Sequence, residues 1–205
     1  TLLDGADGLV LAAETAIGKY PIECASMIAR LIRSYETAAD INVGDGIDPF
    51  SQLVDPHGGT LVNQQLPMAE LDGIEKLPTL KLAHNFLIDA EQIATGTYSP
   101  LTGFMDKTTL ESVLAENRLP DGNIWTLPIV LQVSAQDAAG LAKGKRVALT
   151  DSADEIIALI DVSDIYQMDT ERFCTAVYGT NSTKHPGVVQ TQSAGRYFVG
   201  GDVTL

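Results

Sequence analysis

The stretch KRVALTDSADEIIALIDV, residues 145–162, indicates the class of fold that this 205-residue chain adopts. Its two ends, Lys145–Thr150 and Ile156–Val162, are β-branched or alternating runs, and the residues between them are mostly polar, as in a turn. Three further runs of this kind follow or precede it, at Pro128–Ser134, Phe173–Tyr178 and Arg196–Val199. Short strands separated by Gly, Asp and Asn turns predict a small mixed β-barrel or curled sheet.

Two helices are predicted on the N-terminal side of these strands, which makes the fold class α+β. Residues 84–95 carry apolar side chains at helical spacing around Leu87 and Ile93. In residues 107–117, Thr108 and Glu111 have the spacing of a capping box at the start of a helix.

The N-terminal part of the chain predicts a separate strand-loop-helix unit, residues 8–36. Gly8–Ala12 is a continuous apolar run, typical of a parallel strand covered on both faces, and Pro21 suits the first position of a helix. One strand cannot complete its own hydrogen-bond ladder. We therefore expect this unit to dock on another protein surface, and we predict a homodimer or a domain-swapped contact through residues 8–36.

A linker is predicted between the two parts. Residues 38–52 lose periodicity and contain Gly44, Gly46, Pro49 and several aspartates. The segment that carries these aspartates lacks the glycine and the glutamate of a calcium-binding loop, so we interpret it as a solvated acidic linker. The predicted domains are thus residues 1–37, a linker at 38–52, and residues 53–205.

Composition and charge narrow the function classes. The formal net charge is −14, which opposes binding to a phosphate backbone, so nucleic acid is not an expected partner. No apolar run approaches the roughly 18 residues of a membrane span, and we expect no membrane association. Two distant cysteines, Cys24 and Cys174, fit a reducing cytoplasm and are expected to be core thiols. The chain begins at Thr1 without Met or a leader pattern, so we expect a fragment of a longer protein.

Residues 4–23, DGADGLVLAAETAIGKYPIE, resemble the last strand, loop and helix of the pyruvate kinase barrel. That resemblance covers about residues 1–37 and implies a βα unit of a TIM-type barrel, with Glu14 and Thr15 at the catalytic mouth of a whole barrel. Ala12-Ala13 stands where the family usually has Ser-Gly, and Ile17 stands where it often has Lys. Because the rest of the barrel is missing, we expect no pyruvate kinase activity from this chain.

A longer resemblance, over residues 53–205, is to the N-terminal PUA-like domain of ATP sulfurylase (sulfate adenylyltransferase). It rests on five ordered motifs. They are Pro56-His57-Gly58-Gly59 with Leu61-Val62-Asn63; Ile93-Ala94-Thr95-Gly96 with Ser99-Pro100-Leu101 and Gly103-Phe104-Met105; Arg118-Leu119 with Asp121-Gly122, Trp125 and Pro128-Ile129; Tyr178-Gly179-Thr180 with His185-Pro186-Gly187-Val188; and Gly200-Gly201. Gln64 departs from the family, which often has Arg there, and a contact of that Arg with a neighbouring domain is in question.

The resemblance implies that catalysis belongs to another part of the parent protein. The family binds ATP and sulfate in a following α/β domain through a Gln-x-Arg-Asn-Pro-x-His-x-x-His stretch, which this sequence lacks. We therefore expect no catalytic, cofactor-binding or metal-binding residues here, while the parent family uses ATP and magnesium. The expected role is domain packing or assembly, with the missing catalytic domain or another copy of the chain as partner.

Two alternatives stay open at this point. In the first, the chain is the middle portion of a larger fusion transferase, with a pyruvate-kinase-like barrel upstream, a sulfate adenylyltransferase domain downstream, or both. In the second, the chain binds RNA through its PUA-like face. Tyr98, Phe104 and Trp125 would then form a stacking platform, whereas their apolar motifs favour core packing.

No catalytic constellation follows from the remaining polar residues. His57 and His185 each precede turn residues, where an imidazole commonly bonds the backbone, and both are predicted to be structural. Ser99, Cys174 and His185 could be drawn as a nucleophilic site, but no spacing supports it. Gly18-Lys19 is followed by Tyr20, so it does not form a phosphate-binding loop.

Overall fold

The structure, a computed structural model, describes residues 11, 18–41, 56–67, 71 and 73–205, with the backbone alone for 32–41. The chain divides into two compact units, Thr1–Val54 and Asp55–Leu205. The predicted strand at 8–12 lies outside the described residues except for Leu11, as does most of the predicted linker. None of the helices described in this structure is long and apolar enough to cross a membrane.

The described part of the first unit is dominated by one helix, α1, Pro21–Ile41. The predicted helix at Pro21 is confirmed, but it continues to Ile41, so the first four residues of the predicted linker are helical. Ile22 is 77% exposed and Met27 is 54% exposed. Cys24 is only half-buried, which corrects the expectation that it is a core thiol.

The second unit is a mixed α/β domain in which short helices connect the strands of one sheet. Its described elements, in chain order, are β1 Thr79–Lys81, α2 His84–Ala94, β2 Gly103–Phe104, α3 Lys107–Glu116, β3 Leu131–Val133, α4 Ala135–Gly140, β4 Arg146–Thr150, β5 Ile156–Gln167, α5 Thr170–Tyr178, α6 Pro186–Ser193 and β6 Tyr197–Thr204.

The six strands form one sheet in the order β1-β4-β5-β6-β2, and β3 pairs with β6 beside β2. Among the described strands, the β1–β4 pair is parallel and the other pairs are antiparallel. The long strand β5 carries a register shift between Val162 and Asp164, which is where a bulge increases local twist. A mixed sheet of six strands with short helices agrees with the α+β class that the sequence predicts.

The core lies against the sheet and is centred on Phe198, which is fully buried. Its ring is 5.6 Å from the rings of both Tyr166 and Phe173, measured between centroids. The Tyr166 hydroxyl donates to the backbone oxygen of Met105 (2.9 Å), and burial raises the pKa of Tyr166 above the usual range of a phenol. These contacts tie α5 and the loop after β2 to the middle of the sheet.

The prediction of a strand at Phe173–Tyr178 is wrong, because these residues form the last two thirds of α5. The Asp169 side chain accepts hydrogen bonds from the backbone N–H groups of Glu171 and Arg172, which caps the helix start. Gly179, at φ 69°, ends it in the left-handed conformation. Phe173 and Val177, four residues apart, then face the core on one side of the helix.

The capping box predicted for α3 is also wrong in its residues. The cap is Asp106, whose carboxylate accepts from the N–H of Thr109 (2.7 Å), so the helix starts one residue before Thr108. The helix predicted at 84–95 is confirmed as α2, and the remaining four predicted strands are confirmed in position with shifted ends.

Candidate functional site

Three of the sequence motifs, far apart in the chain, meet on one side of the second unit. The His57 ring nitrogen Nε2 lies 2.7 Å from the backbone oxygen of Ile124. Gly58 lies against Pro100, since a Cβ at Gly58 would come within 2.7 Å of that ring. The segments around 57, 99 and 124 are therefore held together by backbone contacts and close approach.

Gly96 makes the tightest of these approaches. Its φ is +87°, and a Cβ there would lie 2.2 Å from the backbone oxygen of Val62. The Ser99 hydroxyl donates to the oxygen of Gly96 (2.6 Å) and accepts from the N–H of Val62 (3.0 Å). Ser99 is thus a buried bridge between two motif segments, which explains why serine stands there without a nucleophilic role.

An aromatic chain extends from this junction toward α2. His57 and Trp125 have ring centroids 6.0 Å apart, and Tyr98 meets Trp125 edge to face at 6.5 Å. The Tyr98 hydroxyl donates to Asp89 Oδ1 (3.2 Å). Burial raises the pKa of the Asp89 carboxyl, while the hydrogen bond from Tyr98 partly offsets that shift.

The junction leaves three large apolar side chains in solvent. Leu61 is 64% exposed, Ile124 is 58% exposed and Leu127 is 57% exposed. The last two flank Trp125, whose indole N–H donates to the backbone oxygen of Leu127. We call His57, Leu61, Ile124 and Leu127 the motif face. Its apolar residues come from segments that the contacts above hold in place.

Gln64, the residue that departs from the sulfurylase pattern, is used inside this chain. With its amide nitrogen turned toward the sheet, it donates to the backbone oxygens of Thr102 (2.7 Å) and Val203 (3.0 Å). The backbone N–H of Leu205 donates to the oxygen of Gln64 (2.9 Å), so the C-terminal residue lies beside this segment. Gln64 therefore joins the motif segment to β6.

A cleft of about 540 Å³ lies beside the aromatic chain. Its walls come from β1, at one end of the strand order, and β3, which pairs with β6 on the side of β2, with parts of α2, α5 and α6. We call it the seam cleft. Apolar side chains such as Phe86 and Val130 line its base, and Lys81, Asp89 and Asp137 bring charge to it. Sequence reasoning missed this cleft, because β1 has only three residues.

The structure confirms some of the predictions made for individual residues and contradicts others. Phe104 is buried, and Tyr98 and Trp125 are partly buried against the core, so the core-packing interpretation is confirmed for all three. His57 does bond a backbone oxygen, although in a distant loop. The turn bond expected of His185 is not made: this residue begins α6, and its Nδ1 is buried with no hydrogen-bond partner in the described structure. Instead its ring lies 4.9 Å from that of Tyr178.

Cys174 is fully buried, which confirms it as a core thiol, and burial raises its pKa. Because the Ser99 hydroxyl is occupied by the two backbone groups described above, the drawing of Ser99, Cys174 and His185 as one site has no support. Across the described ranges, no group of three or more His, Cys, Asp or Glu side chains is arranged to hold a metal ion.

Comparisons with known proteins identify relatives that match about three quarters of this chain. The sulfate adenylyltransferase of Persephonella marina is 40% identical over 155 residues, which are 74% of this chain and 40% of that protein. The sulfate adenylyltransferase of Chloroflexus aurantiacus is 43% identical over 159 residues, which are 78% of this chain and 41% of that protein. The chain thus spans about two fifths of the length of these curated relatives.

A solved structure titled as a hexameric APS kinase from Thiobacillus denitrificans has the same fold over 74% of this chain and 26% of its own. Its TM-score is 0.55 and its sequence identity is 29%. The family model described as a PUA-like domain matches residues 54–205, which agrees with the second compact unit, Asp55–Leu205. The chain therefore belongs to the PUA-like domain family.

Proposed function

We propose that residues 53–205 are the non-catalytic PUA-like module of an ATP sulfurylase, and that the motif face packs against the catalytic α/β part of the parent enzyme. The observation that carries the proposal is the exposure of Leu61, Ile124 and Leu127 on a junction built from three motif segments. Large apolar side chains this exposed, on a rigid support, are typical of a surface that another domain covers.

In this proposal the chain contributes position and stability, and the parent enzyme supplies ATP, magnesium and the cationic groups that act on the phosphate. Transfer of an adenylyl group needs positive groups around the reacting phosphorus. Of the ten Lys and Arg residues of the second unit, the described ion pairs occupy five, which are Lys76, Lys81, Lys143, Arg146 and Arg172. Two free thiols agree with a cytoplasmic parent protein.

A chimaera tests the packing role. The region of the Persephonella marina enzyme that matches this chain is replaced by residues 54–205, and sulfate-dependent release of pyrophosphate from ATP is measured. We expect an active chimaera, and we expect Leu61→Asp with Ile124→Asp to lower both the activity and the melting temperature. Each substitution removes about 1.5–3 kcal/mol of apolar burial and places a charge in the contact.

The matched control is Val189→Asp on α6, an apolar residue that is 47% exposed and lies outside the motif face. It should leave activity and melting temperature close to those of the parent chimaera. Equal losses from the control and from the double variant would contradict packing through the motif face.

One observation favours a second candidate, a larger fusion transferase. Thr1–Val54 is a compact unit of its own, and it contains the residues that resemble the pyruvate kinase barrel. The intact mass of the natural protein separates the two proposals, because a fusion requires a barrel of about 250 residues besides the sulfurylase part.

A further inference from the structure

The walls of the seam cleft are strand edges that carry no neighbouring strand in the described part of the sheet. β1 pairs only with β4, and β3 pairs only with β6. Such edges present backbone donors and acceptors to whatever enters the space between them. The backbone groups that point into the cleft therefore determine which ligand it can bind.

The hydrogen bonds between β1 and β4 leave the backbone groups of Lys81 pointing away from β4. The N–H of Ala148 donates to the oxygen of Pro78 (2.9 Å), and the N–H of Leu82 donates to the oxygen of Thr150 (2.9 Å). In a parallel ladder alternate residues bond the same neighbour, so the backbone groups of Lys81 face away from β4. Lys81 also lines the cleft.

On the opposite wall of the cleft, the pairing of β6 with β5 leaves the backbone groups of Gln132 pointing away from β6. The N–H of Met168 donates to the oxygen of Arg196 (3.2 Å), and Tyr166 pairs with Phe198, so even-numbered residues of this part of β6 bond β5. Gln132 is paired with Phe198, and its own backbone groups therefore face away from β6. Its side chain is held by the oxygens of Thr191 (3.2 Å) and Gly195 (3.1 Å), which fixes this wall.

The charge of the cleft is acidic. Asp89 and Asp137 line it, and Asp89 has no cationic partner among the residues whose side chains are described. Lys81 is paired with Asp154 (2.6 Å) and directed to the oxygen of Ser152, so its charge is already compensated. A half-buried carboxylate without a counter-ion favours a ligand that brings a positive charge.

We propose that the seam cleft binds an extended segment of another polypeptide that carries an arginine or lysine, adding a strand at the exposed Lys81 edge and placing the cation beside Asp89. Backbone hydrogen bonds supply affinity and alternate side chains supply specificity in this mode of recognition. The apolar base, with Phe86 and Val130, receives the neighbouring side chains. Leu127 lines this cleft and also belongs to the motif face, but the peptide assay uses the chain without a catalytic domain, so a negative result would leave the packing proposal untouched.

The test uses the full 205-residue chain and a labelled peptide, Ac-Thr-Val-Arg-Val-Thr-amide, in fluorescence anisotropy at about 0.15 M salt, where distant charges are screened. A citrulline peptide removes the charge, and an Arg peptide methylated on its backbone nitrogens keeps the charge but cannot pair with a strand edge. We expect roughly ten-fold weaker binding for each of the two altered peptides.

Protein variants complete the design. Asp89→Asn should reduce the affinity for the Arg peptide to that of the citrulline peptide, whereas Glu75→Gln, an acidic residue outside the cleft with a 65% exposed side chain, should not change it. Equal binding of the Arg and methylated peptides would mean general attraction to an acidic protein and would overturn the proposal. So would a failure of the chain to bind the Arg peptide, whatever its oligomeric state.

Discussion

Gly96→Ala offers the sharpest test of how the motif segments are held together. The substituted residue must keep φ near +87°, which costs a non-glycine residue about 1–2 kcal/mol. Its Cβ would also lie 2.2 Å from the oxygen of Val62, so the backbone there must move. That movement weakens the hydrogen bond from Val62 N–H to Ser99 Oγ (3.0 Å) and the bond from Gln64 N–H to Ala94 O (2.8 Å).

Each weakened bond contributes about 1 kcal/mol, so together with the conformational cost the expected loss in the free energy of unfolding is about 3–4 kcal/mol. For a domain of this size that corresponds to a fall in melting temperature of about 2–4 °C per kcal/mol. Urea unfolding, followed by the fluorescence of Trp125, measures the loss. The m-value should stay constant if the native state keeps its compactness.

Gly122→Ala is the matched control, because Gly122 has φ +93° and a Cβ there would meet no atom within 4 Å. It should cost the conformational term alone, about 1–2 kcal/mol. If Gly96→Ala were no more destabilising than Gly122→Ala, the close approach between the two motif segments would not be as the structure has it.

Three further predictions concern charge, thiols and assembly. The hydrogen bonds from Arg146 lower the pKa of Asp161, so the ionised carboxylate stabilises the fold above the ordinary aspartate pKa of about 3.9 and loses that effect as the pH falls toward the lowered native value. Asp161→Asn should therefore shift the urea midpoint at neutral pH and progressively less below about pH 4, and an equal shift at both would contradict this. In the native chain a thiol reagent should modify half-buried Cys24 roughly a hundred-fold faster than fully buried Cys174, and equal rates would show that Cys174 is accessible. Light scattering should give a dimer for the whole chain and a monomer after deletion of residues 1–37, since α1 exposes Ile22 and Met27; monomeric masses for both would refute the predicted contact.

Local sequence signals correctly predicted the strands whose residues fit a strand but not a helix. Residues 145–150 and 156–162 are β-branched and lack helix caps, and both are strands. Phe173–Tyr178 is short enough to fit either period, and the capping residues Asp169 and Gly179 decide for helix. Those two residues were the signal that could have corrected the prediction.

Helix α6 was missed because most of its residues, including Val188, Val189 and Thr191, have low helix propensity. Pro186 at its first turn was the one local indication. The helix forms because Val188 and Thr191 are buried against the rest of the domain, which is a tertiary effect.

The candidate site was predictable only in part. The motifs named His57, Gly96 and Trp125, but not that their segments converge, since 68 positions separate the first from the last. The exposure of Leu61 and Ile124 could not follow from composition, because apolar residues in such motifs are equally compatible with a core. The seam cleft depends on which strands end the sheet, and that is a property of the pairing order.

If this chain is a packing module, as we propose, adenylyl transfer belongs to the rest of an ATP sulfurylase. The most direct measurement is sulfate-dependent formation of adenosine 5′-phosphosulfate and pyrophosphate by the purified chain with ATP and magnesium, beside the active chimaera. We expect product from the chimaera and none above the blank from the chain alone. Turnover by the chain alone would show that it is not a non-catalytic packing module.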